Sequence, residues 1–166
     1  MATAVLTPNQ DAVRVETLIA APPERVFQAL TDPRQLVQWW GQAGMYRTTE
    51  FQVDLRPGGY WRSVGAGADG SPFHVEGEYR EVDPPKLLVY TWRCSWMPGV
   101  ETLIRLELSA EGSATRVRIE HTGFAGKPDA AKDHGNGWVR VLGWMQGFVE
   151  RNETIDTRPT LTAPVA

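Results

Sequence analysis

Residues 21–41, APPERVFQALTDPRQLVQWWG, decide how the chain is built, because they read as two short helices joined without a spacer. Pro22 and Pro23 open the first, where a missing N–H breaks no helical hydrogen bond, and Val26, Phe27 and Leu30 give it one apolar side. Asp32 is placed to cap the second helix and Pro33 fits its first position. Gln35, three residues past the cap, is placed to reach back to the cap's own N–H. Gly41 supplies the stop. Neighbouring helical residues point about 100° apart, so the adjacent indoles of Trp39 and Trp40 cannot share one core. One packs, and the other faces a second apolar space.

Working outward from this pair, the flanks read as strands. Upstream, AVRVETLIA (12–20) alternates apolar and polar residues at the period of a half-buried strand. Downstream come TTEFQVDLR (48–56), YWRSV (60–64), FHVEGEYREV (73–82), KLLVYTWRC (86–94), ETLIRLELSA (101–110) and TRVRIEHT (115–122). Turn signals separate them at Pro57-Gly58-Gly59, Asp69-Gly70, Asp83-Pro84-Pro85 and Glu111-Gly112-Ser113. The glycines of GAGADG (65–70) are not followed by Lys-Ser/Thr or by a helix, so the segment reads as a hairpin turn and not as a phosphate loop.

Residues 123–135 read as a polar loop. From about Asn136 to Asn152 the pattern becomes helical, with Trp138, Val141, Leu142, Trp144, Met145, Phe148 and Val149 inside an arc of roughly 160°. The tail, 153–166, lacks periodicity and reads as loose. About seven antiparallel strands in meander order and one long amphipathic helix predict an α+β fold in which the sheet curls around that helix. Such a sheet leaves a gap at one end, where the two short helices form a lid or floor and a ligand would sit.

With 166 residues the chain fits one domain, 1–166, whose core runs from about 12 to 152. A formal net charge of -3 gives no reason to expect nucleic acid or an anionic membrane as partner. One cysteine, Cys94, excludes an internal disulfide. The N-terminal residues have neither the basic start nor the apolar run of a signal peptide, and no apolar stretch approaches the roughly 20 residues of a membrane span. The expected location is cytoplasmic.

Catalytic motifs are absent. His74, His121 and His134 have no metal-ligand spacing, and no metal or other cofactor is expected. Alternation from Val117 and Ile119 places His121 on the inward face of its strand, where it either orients a ligand or makes a local hydrogen bond. Glu76, Glu78 and Glu107 alternate with apolar residues and read as solvated, and Asp54 with Arg56 reads as a structural pair. Cys94 reads as an inert strand-end thiol.

Aromatics carry the stronger signal, with seven Trp in the chain. Trp39 or Trp40, together with Phe51, Trp61, Phe73, Tyr79, Tyr90, Trp92, His121, Trp138, Trp144 and Met145, are the candidates for lining a site that takes a flat or greasy small molecule. Packing alone is the alternative for several of them. The hydroxyls of Tyr79 and Tyr90 would be its polar handles. On the helix, Gly143 and Gly147 lie away from the aromatic stripe, so a backbone or a second subunit is expected close to that face, and a homodimer is one way to supply it.

The segments 21–41, DLRPGGYWR (54–62), GEYREVDPPKLLVYTW (77–92), HTGF (121–124) and Gly137-Trp138 carry a family likeness. In their order and spacing the chain resembles the START-like, or SRPBCC, helix-grip superfamily, and within it the homologues of the activator of the ninety-kilodalton heat-shock chaperone's ATPase. The resemblance implies a helix-grip fold with an apolar cavity between sheet and long helix. It implies less about chemistry, because one fold hosts many functions. Activators of that ATPase are expected to carry a further N-terminal domain, for which these residues leave no room. The leading expectation is therefore binding of a small hydrophobic or aromatic molecule without catalysis. A polyketide cyclase or aromatase-like enzyme, and a chaperone ATPase-activating or stress-response module, are the alternatives.

Overall fold

The helical pair forms as its capping residues require. In a computed structural model that describes residues 2–7 and 11–162, α1 runs over Pro23–Thr31 and α2 over Pro33–Trp39. The Asp32 carboxylate accepts the Arg34 N–H at 2.9 Å, which caps α2. Gln35 does not reach the Asp32 N–H, because that group already donates to Gln28 O at 2.9 Å and closes α1. One residue ends one helix and starts the next, so Gln35 donates to the Asp32 carboxylate at 3.3 Å instead. Gly41 follows at φ +140, and a Cβ there would stand 2.7 Å from Tyr46 O.

Around this pair the strands are β1 (Thr3–Leu6), β2 (Ala12–Ile19), β3 (Gly41–Gln42), β4 (Tyr46–Val53), β5 (Tyr60–Gly67), β6 (Pro72–Asp83), β7 (Leu87–Cys94), β8 (Thr102–Glu111) and β9 (Ala114–Thr122). They form one curved antiparallel sheet in the order β1-β2-β9-β8-β7-β6-β5-β4-β3. The fold is α+β helix-grip, as expected, with the two short helices after β2. Two strands escaped the sequence reading, β1 and β3, since four and two residues are too short to show alternation. The meander is also broken at its start. β2 does not sit beside β4 but pairs with β9, Val15 facing Ile119, because the short helices carry the chain across to the opposite edge.

The long helix, α3, covers Pro128–Arg151 and so begins eight residues before the expected start at Asn136. Its early turns bury Ala131 and Gly135, residues too small to register as an apolar stripe. Gly135 is required there: a Cβ would lie 2.7 Å from the Val13 side chain of β2. The loose tail is also corrected. Ile155 is buried, and the buried Arg158 guanidinium donates to the carbonyls of Trp39, Gly41 and Trp144, each at 2.8 Å. Residues 163–166 lie outside the described residues. At Gly147 the close neighbour is the same chain's Glu153 carboxylate, while Gly143 faces open space.

Candidate functional site

Between the sheet and α3 lies a cavity of about 470 Å³, within the roughly 300–1,000 Å³ typical of small-molecule sites. Its walls come from β4 to β7, from the helical pair and from one face of α3. Two register shifts, between Thr48 and Glu50 in β4 and between Tyr79 and Glu81 in β6, fall in these walls, where an extra residue increases the bend of a strand.

The cavity wall contains Trp40, Phe51, Trp61, Phe73, Tyr79, Tyr90, Trp92 and Trp138. The double tryptophan divides as helical geometry requires. Trp39 is fully buried, its indole N–H donating to Ala29 O at 2.9 Å. Trp40 stacks on it at 5.1 Å and also meets Phe51 and Trp138, at 5.7 and 5.9 Å. The remaining candidates do not line the cavity. Met145 fills the core, and Trp144 packs outside the wall, donating to Gln42 Oε1 at 3.1 Å.

His121 is the other correction. It is fully buried between Trp138 and Thr102, outside the wall. The Trp138 indole can only donate, and it bonds Nδ1 at 3.0 Å, so Nδ1 accepts and Nε2 carries the proton toward Thr102 Oγ1 at 2.7 Å. Thr102 passes its own hydrogen to Trp92 O at 3.3 Å. Burial, with the neighbouring His134 adding to it, pushes the His121 pKa well below 6.5 and keeps the ring neutral. Both nitrogens are spent on structure, which is the local hydrogen-bonding alternative.

His134 takes the place expected for His121. It lines the cavity from α3, and its Nδ1–H donates to Ala130 O at 2.9 Å, leaving Nε2 as an acceptor without a partner. Burial also lowers its pKa. Reading 123–135 as loop hid it. A helix started at Pro128, a proline at a first-turn position, would have set His134 four residues before Trp138 on one face. Trp96 and Tyr46 were missed as well. Trp96, more than half exposed in the turn after β7, stacks on His134 at 6.3 Å and meets Phe73 at 6.2 Å. Tyr46 packs edge-on against Phe73 and Trp144.

Polar groups in the wall are few and mostly uncharged. Burial pushes the Tyr46 hydroxyl up to about 12, and raises Tyr79 and Tyr90 further, so all three stay protonated donors. Asp133 and Arg140 stand at the exposed rim on α3. Cys94 is buried and its thiol is pushed up to about 11, which removes it as a nucleophile. Among the described residues, no group of three His, Cys, Asp or Glu side chains is placed to hold a metal. No helix among the described residues is long and apolar enough to cross a membrane.

A curved antiparallel sheet gripping one long helix, with an aromatic-walled cavity between them, defines a START-like helix-grip protein. The chain belongs to the family described as Activator of Hsp90 ATPase homolog 1-like proteins, whose pattern matches residues 20–150. Solved structures agree. Protein CV1439 from Chromobacterium violaceum is 26% identical with a TM-score of 0.74, over 87% of this chain and 99% of that one. Ms6760 from Mycobacterium smegmatis is 21% identical with a TM-score of 0.78, over 90% of this chain and 96% of that one. DynU16, of the dynemicin biosynthetic locus, is 22% identical with a TM-score of 0.71, over 86% of this chain and 48% of that one. Likeness at the level of the last two shows the fold alone. Curated proteins give no significant match.

Proposed function

We propose that the chain binds a small hydrophobic or aromatic molecule in the cavity between β4–β7 and α3. The observation that carries this reading is the void itself: after the buried aromatics have packed, about 470 Å³ stays open between them. Side chains serving only as core would have filled it, since protein interiors leave few voids larger than a water molecule. Its wall of indole, phenyl and aliphatic groups suits a flat apolar body, and the hydroxyls of Tyr46, Tyr79 and Tyr90 can orient it. A cytoplasmic setting belongs to the same proposal, supported by the single buried thiol of Cys94. To test binding, titrate the protein with naphthalene before and after Ser63→Phe, a change that fills the cavity from the inner face of β5. Saturable binding lost in the variant, with the melting temperature retained, supports the reading; no saturable binding to the unmodified chain refutes it.

His134 favours a second reading, an enzyme acting on a polyketide-like ring, because its neutral Nε2 lone pair sits in the wall where a general base would stand. DynU16 belongs to a biosynthetic locus, which fits such a role without assigning it to this chain. Cyclisation of a poly-β-ketone that stops with His134→Ala would support catalysis over binding. Stimulation of the heat-shock chaperone's ATPase by the purified chain would support the role in the family's description.

A further inference from the structure

The rim of the cavity carries a cation that the described residues leave without a counter-charge. Arg140, exposed on α3, borders the cavity. Its Nη2 lies 4.0 Å from where a Cβ on Gly137 would stand, so the guanidinium folds back along the helix over another residue of the cavity wall. Other surface arginines hold carboxylates: Arg47 on Asp156, Arg56 on Asp54, Arg105 on Glu107 and Arg151 on Glu153, at 2.5–2.9 Å. Among the described residues, Arg140 has neither a hydrogen bond nor an ion pair. The acid on the same rim, Asp133, stands seven residues earlier on α3, about 10 Å along the axis, and does not pair with it. Tyr46, also in the wall, has its hydroxyl in the field of Arg140. Trp40 donates its indole hydrogen to that hydroxyl oxygen, so the Tyr46 O–H is left for a further acceptor, which no described residue supplies.

We infer that Arg140 receives the head group of an organic acid, so that the cavity's ligand is an apolar body carrying one carboxylate, the body among the indoles and the carboxylate at the rim. A guanidinium presents paired N–H groups that match the two oxygens of a carboxylate. One negative charge fits better than two, because Asp133 on the same rim repels a dianion such as a phosphate monoester. The head group stays outside for a physical reason. Behind the rim the wall offers protonated tyrosines and a His134 that burial keeps from charging, so a carboxylate seated deeper would lose its water without gaining a cation.

This assignment rests on the binding reading above and names the ligand's chemical class. The test is calorimetric titration of the full chain at neutral pH with four probes built on one ring system: naphthalene, 2-naphthamide, 2-naphthoate and 2-naphthylmethylammonium. The amide has the shape of the carboxylate without its charge. Naphthoate should bind about five-fold more tightly than naphthamide, the upper range for an ion pair open to solvent on one side, and the ammonium probe should bind more weakly than either. Arg140→Met, which keeps the aliphatic stem on an exposed position, should bring naphthoate down to the level of naphthamide and leave naphthalene unchanged, while Arg140→Lys should retain part of the advantage. A naphthoate preference that survives Arg140→Met would move recognition to the tyrosines and overturn the inference. Equal affinity of naphthoate and naphthamide for the unmodified chain, or tighter binding of the ammonium probe through Asp133, would overturn it as well. Failure of every probe to bind, naphthalene included, would refute the binding reading itself.

Discussion

The two halves of the sheet treat the same helix differently. On β2, β8 and β9, the inward residues Val13, Val15, Ile19, Ile104, Leu106, Leu108, Val117 and Ile119 are all buried, and none touches the cavity. From β4 to β7 the inward face carries Tyr46, Phe51, Trp61, Phe73, Tyr79, Tyr90 and Trp92, and there the helix stands off. Branched aliphatic side chains interdigitate at short range and close a layer. Planar rings meet edge to face at 5–6 Å and leave space between their faces. One half therefore supplies stability and the other a chamber, and the boundary runs between Trp39 and Trp40.

Substitutions along that boundary should separate the two. The largest effect is expected at Trp39, where Trp39→Ala removes a fully buried indole and strands Ala29 O, for about 3–5 kcal/mol by urea denaturation. Trp40→Ala should cost under about 2 kcal/mol and weaken naphthalene binding, since that ring is half-buried and faces existing space. Equal losses would erase the boundary. Leu106 and Leu88 offer a stricter comparison, being directly paired across β8 and β7 and equally buried, with Leu88 alone bordering the cavity. Leu106→Ala should cost about 4 kcal/mol and Leu88→Ala about 2 kcal/mol, because fewer atoms surround the second.

Next in size is Arg158→Met, which leaves three carbonyls without their shared donor and should cost about 2–3 kcal/mol by the same measurement. A pH series tests the closed end. His121 has a depressed pKa in the folded protein, so the unfolded chain takes up its proton more readily. The stability it supports is complete above the ordinary histidine pKa of about 6.5 and declines as pH falls from there toward the folded value. Urea midpoints should accordingly drop between pH 7.5 and 5, with a shallower slope in His121→Gln; a flat profile for the parent chain would contradict the closed network. The smallest change is a gain. Gly143→Ala, with open space for its Cβ, should stabilise α3 by up to about 1 kcal/mol, whereas Gly147→Ala meets Glu153 and should not.

Most strands, both short helices and the aromatic wall were legible because each has a local cause. Alternation marked β2 and β4 to β9, and Asp32 with its flanking prolines marked α1 and α2. What stayed hidden had none. The opening turns of α3 bury Ala131 and Gly135, whose smallness is what lets the helix approach Val13, and smallness looks like polarity's absence and nothing more. His134 was lost with that error. His121 was placed on the correct face, yet strand phase cannot tell a cavity wall from a filled core behind it. The tail reads as loose because one arginine and one isoleucine show no period, although Arg158 ties the end of α2 to the body of α3.

By itself, then, the sequence determined the order of elements, the α+β class and the stock of aromatic side chains, all of which depend on residues close in the chain. Tertiary structure alone decided which indole of the pair packs, which histidine reaches the cavity and where the void remains. Those outcomes depend on how closely a helix can approach a curved sheet, a distance set by side chains more than a hundred residues apart.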